Sequence, residues 1–517
     1  MSAAPSIFPD SPTRRFFWLR TALPAAGCGA IAALGFAPLS WFPLTPLGLA
    51  VLFTMWAASA RVRDAVLAGF FFGLGFFLVG VSWVFVSLYT YGHMPLVLAA
   101  LATFLFCSYL ALFPALAGWI VAKSRREPMF KLILLGPAAF VALEWLRGWL
   151  FTGFPWLAIG YTQAPSGWLA GFAPVGGVYA VSWLLAISAG LIALLWHFRR
   201  DRSVPLKVIT LALLGVIWLG GALLQRIELS QPYGESVKVA LLQGNIAQDM
   251  KWEAGVRAAT LEQYRQMALK SDARIVVFPE TALPMFADQI PRDYLRSLLE
   301  HADAKRADFL LGTVERTSAD GAFDYYNSVI SFGTAGPQVY RKSHLVPFGE
   351  FIPFGFKWVL NVLKIPLTDF ASGDPGQKPL QVAGQRVAAN ICYEDAFGEE
   401  IIRQLPAATI MVNVSNVAWF GQSWAADQHF QMSQMRSLET SRWMLRATNT
   451  GVTGAIDEKG RAVALLPQFK TDTLTVMAQG RTGTTPYVVV GNWPILGILA
   501  AALVLAFMPL WIRRAPK

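Results

Sequence analysis

Residues 386–394 read RVAANICYE, and the fold turns on how they are read. Val387 to Ile391 is a short, mostly apolar run with the length and composition of a buried strand. It ends in Cys392, and Tyr393 and Glu394 follow at once. A side chain at the end of such a strand is delivered to the crevice where sheet proteins hold ligands. Cys392 is therefore a candidate nucleophile. The competing reading is a buried, inert cysteine, the commoner fate of a lone thiol. The remainder of the chain decides between them.

The chain has 517 residues, 55% of them hydrophobic and 15% charged, with a mean hydropathy of +0.45. A soluble domain carries about 25% charge, so this is the composition of a membrane protein. The net charge of +11 would suggest a nucleic-acid partner in a soluble protein. Here the placement of the charges matters more than their sum, and no nucleic-acid partner is expected. Cys28, Cys107 and Cys392 are the three cysteines. The first two lie in apolar segments, so no disulfide framework is expected and Cys392 is left as a free thiol.

Apolar stretches long enough to cross a bilayer core of about 30 Å occur at 17–36, 41–59, 65–88, 95–121, 131–150, 172–196, 206–224 and 488–511. Lys and Arg alternate between the connections. Arg14 and Arg15 precede the first span. Arg61 and Arg63 lie in the second loop, Lys123, Arg125 and Arg126 in the fourth, and Arg199, Arg200 and Arg202 in the sixth. Arg513, Arg514 and Lys517 end the chain, whereas the loops around Pro38, Gly92 and Thr162 carry neither residue type. This positive-inside pattern places both termini in the cytoplasm and the segment 225–487 outside it. The expected divisions are a seven-helix membrane domain over 1–224, an outer domain over 225–487, and an eighth helix with a cytoplasmic tail over 488–517. Arg14-Arg15 before an apolar run has the outline of a signal sequence, and Ala25-Ala26-Gly27-Cys28 faintly that of a lipoprotein cleavage site. Ala25 in place of a large aliphatic residue, together with the loop pattern, argues that the segment is retained.

Two features of the membrane half are not explained by spanning. Glu144 and Arg147 stand three apart on one helix face. Charges in a span face a protein interior or a wet cavity, and an internal salt bridge that holds the bundle together is the expectation. The charge-free outer loops are also aromatic, with Tyr89, Tyr91 and His93 in one and Phe154, Trp156, Tyr161 and Trp168 in another. Interfacial aromatic belts account for most of this; a surface that admits lipid is the sharper alternative.

Residues 237–483 read differently. Strand-like runs at Val237–Gln243, Ile275–Phe278, Phe309–Val314, Val387–Ile391 and Thr409–Val414 alternate with helical stretches at Arg257–Lys270 and Asp427–Ala447. The alternation predicts a layered α/β domain. Several strands end at reactive residues. Ile275–Phe278 runs into Glu280, the run near Tyr340 leads into Lys342, and Val387–Ile391 leads into Cys392. A thiol needs a base or a nearby cation to become a nucleophile. Glu280 can take the proton. Lys342 can stabilise the thiolate and then an oxyanion. Glu350 can orient Lys342 or supply a second carboxylate. Each residue alone reads more readily as a solvated surface group.

The stretches FPETALP (278–284), YRKSHLVPFGEFIP (340–353) and ICYED (391–395) resemble the Glu, Lys and Cys motifs of the nitrilase superfamily. Joined to seven spans before and one after, they resemble its membrane-bound branch, the apolipoprotein N-acyltransferase family. The likeness extends to 82–95, TGFPWL (152–157), KWE (251–253), NVAWFG (416–421) and HFQMSQMR (429–436). It implies an αββα sandwich for the outer domain and a catalytic set of Glu280, Lys342 and Cys392. Glu350, Tyr393 and Glu394 are implied as supporting residues, with a backbone N–H near Tyr393 joining Lys342 at the oxyanion. Trp252 and Trp419 are implied to line the pocket, ordinary aromatic packing being the alternative for both. The implied reaction is two-step. Cys392 takes an acyl chain from a phospholipid, usually the sn-1 chain of phosphatidylethanolamine, and passes it to the α-amine of diacylglyceryl-cysteine in an apolipoprotein. The implied location is a bacterial inner membrane with the catalytic domain in the periplasm.

Residues 351–370, just after Glu350, are too apolar for an ordinary loop in water, and a membrane-touching lid is expected, with a core helix as the alternative. His93, His197, His301, His344 and His429 show no ligand spacing, and neither metal nor other cofactor is expected. Two other functions use the same features. A membrane-tethered amidase or nitrilase-type hydrolase would employ the same three residues with water as acceptor. A transporter or lipid-binding protein with a degenerate outer domain would not need them as a complete set.

Overall fold

The computed structural model describes residues 21–198, 203–248, 254–319, 322–353 and 369–508. Apolar helices occupy the positions read as spans. Val62–Gly80, Leu96–Lys123, Pro128–Arg147, Trp168–His197 and Val204–Leu224 are long and apolar enough to cross a membrane. Leu23–Ala33, Leu44–Ala58 and Trp493–Phe507 are apolar but shorter, at 11, 15 and 15 residues. Many of their large side chains face outward, among them Val97, Val216 and Trp493. Such exposure suits hydrocarbon and not water.

The α/β domain that follows Val204–Leu224 is built from two six-stranded sheets. In the first, Ile410–Ser415 lies parallel to both Gln385–Ile391 and Met444–Thr448. In the second, Ile275–Val277 lies parallel to both Val237–Gln243 and the start of Asp308–Ala319. Leu241, Ile275, Val277 and Leu310 of one sheet pack against Val387, Ala389, Ile391 and Val412 of the other. Helices Ala254–Leu269 and Arg292–Lys305 cover the far face of the second sheet through Tyr264, Leu298 and Ala302. Helix Ala425–Thr440 covers the far face of the first through Ala426 and Phe430. The layers are helix, sheet, sheet, helix, as the family resemblance implies.

The expected helix over Asp427–Ala447 is two elements. It ends at Thr440, where Ser441 takes a left-handed φ of 50°, and Met444–Thr448 is a buried strand paired with Ile410–Ser415. Helical spacing of Met and Leu did not register that turn.

The same helix is buried along nearly its whole length even though it is polar. Ala425, Met432, Met435 and Leu438 pack into the core of the membrane bundle. Its polar side chains bind across that seam. Gln428 Oε1 accepts from Trp83 Nε1 at 3.0 Å and from Trp156 Nε1 at 2.8 Å, while its Nε2 donates to the Gly80 carbonyl. Gln431 accepts from the Ala37 N–H, and Glu439 accepts from the Val178 N–H. Buried polar groups keep their place only when hydrogen-bonded, so this helix fixes how the α/β domain sits on the bundle.

The aromatic loop at 154–168 also turns inward in part. Trp156 and Tyr161 are buried, Trp156 stacks on Tyr393, and Tyr161 donates to the Ala396 carbonyl. Trp168 and Tyr89 remain exposed. Glu144 and Arg147 are buried but do not pair as expected. Glu144 accepts from the Ile159 N–H and Ser182 Oγ, and Arg147 donates to the carbonyls of Phe154 and Trp156. Arg147 and one oxygen of Glu144 thus hold the 154–159 loop, which meets the α/β domain, and the other oxygen of Glu144 binds Ser182.

Candidate active site

Strand ends bring the three candidates together from both sheets. Glu280 follows Ile275–Val277, Lys342 follows Gln338–Arg341, and Cys392 follows Gln385–Ile391. Glu280 is carried on backbone that presses against a neighbouring strand. A Cβ at Gly312 would lie 2.3 Å from the Pro279 carbonyl oxygen and 2.8 Å from Glu280 Cα, so only glycine fits there. Thr281, Phe348 and Cys392, on the three converging segments, all have left-handed φ values of 46°, 61° and 51°. Non-glycine residues in that region cost about 1–3 kcal/mol each and cluster at functional sites.

Lys342 is 1% exposed, and Glu280 and Glu350 are each 8% exposed. Lys342 Nζ lies 2.8 Å from Glu350 Oε2 and 3.9 Å from Glu280 Oε1. Asn327 Nδ2 donates to Glu280 Oε1 at 2.7 Å and to Glu350 Oε1 at 2.8 Å. The second oxygen of Glu280 accepts from the Asn416 N–H at 2.7 Å, and Glu350 Oε2 accepts from the Val346 N–H at 2.8 Å. Each carboxylate is thus held at both oxygens.

Burial works against the Lys342 ammonium, but Glu350 and then Glu280 outweigh it and raise its pKa. Lys342 is a fixed cation at neutral pH. Burial pushes the Cys392 thiol up, Glu280 adds to the rise, and Lys342 opposes it. With its pKa held up, Cys392 rests as a thiol, and a thiol needs a base to take its proton before or as it acts as a nucleophile.

Glu394 does not face the thiol as a base. It accepts from Tyr340 OH at 3.0 Å, from the N–H groups of Ser343 and Ile391 at 2.7 Å, and from Ser343 Oγ. It thereby ties the Lys342 segment to the Cys392 turn. Tyr393 OH donates to the Gly153 carbonyl at 2.9 Å, tying the same turn to the membrane half. Trp419 is 41% exposed and meets Tyr91 edge-on at 6.0 Å. Trp252 lies outside the described residues, as does most of the expected lid, 354–368.

Sequence reasoning missed Asn327, which bridges both carboxylates from the strand Ala322–Gly333. Nothing in its local sequence marks it; the signal is its place opposite Lys342, whose N–H donates to the Asn327 carbonyl. Asn416 opens the NVAWFG stretch, and it reaches Glu280 through its backbone N–H, which no side-chain pattern marks. A cavity of about 520 Å³ lies between the α/β domain and the membrane half. Trp145, Trp149 and Tyr179 line one side, and His344, Phe397 and Arg403 line the other. Glu280, Lys342 and Cys392 are not among its lining residues.

Residues 28–191 match the family model described as apolipoprotein N-acyltransferase N-terminal domain, and residues 238–487 match that of carbon-nitrogen hydrolase. The chain is 50% identical over 483 residues to a Nitrosomonas europaea protein named apolipoprotein N-acyltransferase, covering 92% of this chain and 96% of that one. It is 46% identical to a Methylococcus capsulatus protein of the same name, covering 93% and 94%. A third protein so named, from Ralstonia nicotianae, is 44% identical, with 94% of each chain covered.

Proposed function

The chain belongs to the apolipoprotein N-acyltransferase family, and from that premise we propose that Cys392, Glu280 and Lys342 perform its acyl transfer through a thioester. Its activity is lipoprotein N-acylation. In the first half-reaction, Cys392 Sγ attacks the ester carbonyl of a membrane phospholipid, with phosphatidylethanolamine as the donor. Glu280 takes the thiol proton as the S–C bond forms. Lys342 and the Tyr393 N–H stabilise the oxyanion. The ester C–O bond breaks, lysophospholipid leaves with the proton held by Glu280, and the acyl chain stays on sulfur. In the second half-reaction, the α-amine of an N-terminal diacylglyceryl-cysteine attacks the thioester. Its proton passes through Glu280 to the departing sulfur, so the amide forms and the thiol is restored. Glu350, Tyr393 and Glu394 hold this machinery in register, and Trp252 and Trp419 line the substrate pocket.

The observation that carries the reading is the Lys342 environment. A fully buried ammonium is held by Glu350 at 2.8 Å with Glu280 at 3.9 Å, and both Lys342 and Glu280 bear on the Cys392 thiol. The charge alternation of the loops supports eight spans, with both termini in the cytoplasm and residues 225–487 on the periplasmic side of the inner membrane. That side is where an enzyme acting on exported, lipid-anchored proteins must work. On this reading residues 1–224 form the membrane domain and 488–517 the final helix and tail.

The test is single-turnover acylation of the full chain in vesicles with acyl-labelled phosphatidylethanolamine, followed by a diacylglyceryl-cysteine peptide. The expected result is label on Cys392, none in Cys392→Ala, and transfer of label to the peptide amine. Free fatty acid without N-acylated peptide would establish the hydrolase instead. An intact chain that never carries label would overturn the thioester.

A further inference from the structure

Cys392 leaves its strand in a left-handed turn, so its carbonyl no longer belongs to the sheet ladder. That carbonyl is held by two buried side chains: His429 Nε2 at 3.2 Å and Asn413 Nδ2 at 3.2 Å. Behind His429 lies a closed network. His429 Nε2 is 2.5 Å from Asp395 Oδ1, and Arg446 donates from NH2 to His429 Nδ1 at 2.7 Å. Asp395 Oδ2 accepts from Arg446 NH1 at 2.7 Å and from Ser433 Oγ at 2.5 Å. Asp395, His429, Ser433 and Arg446 are each no more than 2% exposed.

These contacts fix the tautomer of His429. A guanidinium only donates, so His429 Nδ1 must accept, and the ring proton sits on Nε2. Nε2–H then points at Asp395 and the Cys392 carbonyl together. Burial, and then Arg446, hold the His429 pKa down, which keeps the ring neutral. Asn413 is set in turn by Ser415 Oγ, which donates to its Oδ1, and by its own bond to Asn390 Oδ1.

The consequence follows from peptide geometry. In a trans peptide the carbonyl of one residue and the N–H of the next point in opposite directions. Whatever grips the Cys392 carbonyl from the first-sheet side aims the Tyr393 N–H the other way. We propose that the His429–Asp395–Arg446 network and Asn413 are positioning residues that aim the Tyr393 N–H at the developing oxyanion by clamping the Cys392 carbonyl. The inference rests on the reading of Cys392 as nucleophile. It assigns a purpose to Asp395 and Arg446, whose charges lie behind the reacting atoms.

Two rates measured on the full chain in vesicles test it. The first is acylation of Cys392 by labelled phosphatidylethanolamine, which needs an oxyanion donor. The second is alkylation of Cys392 by iodoacetamide, which forms no oxyanion. In His429→Leu, acylation is expected to fall at least about 10-fold, with the roughly 10²–10³ for loss of a whole oxyanion donor as the upper bound. Alkylation is expected to stay within about threefold. His429→Gln, whose amide can donate to the same carbonyl, is expected to recover part of the loss. Asn413→Leu, which removes the other donor, is expected to show the same selective defect and serves if His429→Leu does not fold. Acylation and alkylation falling together, or acylation unchanged in both variants, would overturn the clamp. A wild-type chain that alkylates but never acylates would instead sink the nucleophile reading on which the clamp depends.

Discussion

Lys342 sits against Glu350 and not against Glu280: its Nζ is 2.8 Å from Glu350 Oε2 and 3.9 Å from Glu280 Oε1. Glu350 therefore serves as the close counter-ion, and on the proposed mechanism Glu280 is the carboxylate that receives the thiol proton. That division orders the expected severity of substitutions. Glu280→Gln removes the proton acceptor and should lower the acylation rate by about 10²–10⁴. Glu350→Gln keeps an oxygen for the Val346 N–H and should lower it less. Single-turnover acylation measures both, and equal losses would show that the two carboxylates share the base role.

Lys342→Arg keeps the charge and still fails on geometry. The ammonium occupies a fully buried site between two carboxylates whose other contacts are already made. A planar guanidinium is larger and presents its donors in a fixed fork. Acylation is expected to drop at least about 100-fold. Thioester formation within about threefold of the wild-type rate would mean that Lys342 supplies only long-range charge.

Asn327 holds Glu280 and Glu350 with the two hydrogens of one amide. Asn327→Asp replaces those donors with a third carboxylate at the same point. Like charges this close disfavour ionisation, so one of the three acids should take up a proton and the Lys342 ion pairs should loosen. The expected outcome is acylation reduced by about 10²-fold at neutral pH, with part of the activity returning as pH falls and the added acid is neutralised. A flat pH profile with low activity would show that the defect is one of shape and not of charge.

How much of this the sequence could disclose depended on whether a feature is local. Val387 to Ile391 with Cys392 at its end could be read because strand length, apolar composition and the reactive residue all sit within seven positions. The apolar helices were legible for the same reason. Glu144 and Arg147 were located correctly, but their partners were not, because those partners are backbone atoms of the 154–159 loop and a serine 38 residues from Glu144. The helix Ala425–Thr440 was the least legible. Gln428, Gln431 and Glu439 look like a solvated face, yet each is bonded to the membrane half. Only assembly of the two halves makes that polarity meaningful. Asn327 and Asn413 are similar cases, since an asparagine inside a strand signals nothing until its opposite neighbours are known.

The seam between the two halves should be measurable through Gln428. Its Oε1 is the acceptor for Trp156 Nε1, while Trp83 Nε1 has a second acceptor in the Gly80 carbonyl at 3.1 Å. Gln428→Leu leaves the Trp156 N–H buried without a partner and should destabilise the protein by about 1–3 kcal/mol. Adding Trp156→Phe removes that N–H and should restore part of the loss. Thermal midpoints in detergent for the single and double variants report this. An absence of recovery would assign the effect of Gln428 to packing.

Glu439 makes the same seam sensitive to pH. Its Oε1 accepts from the Val178 N–H at 2.8 Å and from Arg436 at 3.0 Å, but its Oε2 is buried with no partner. Burial is the main cause that raises its pKa, against the pull of Arg436, to about 7. Because the folded value lies above the unfolded one of about 4.3, this group's stabilising contribution is complete below the unfolded value. It is lost as pH rises through about 7. The protein should therefore be less stable at pH 8 than at pH 5, by an amount on the order of 1–3 kcal/mol from this group. Glu439→Gln keeps an Oε1 acceptor for Val178 and Arg436 and cannot ionise. Its midpoint should match the wild type near pH 5 and lie above it at pH 8. If the variant follows the wild-type pH curve without divergence, Glu439 is ionised throughout the range and the sensitivity of the seam lies elsewhere.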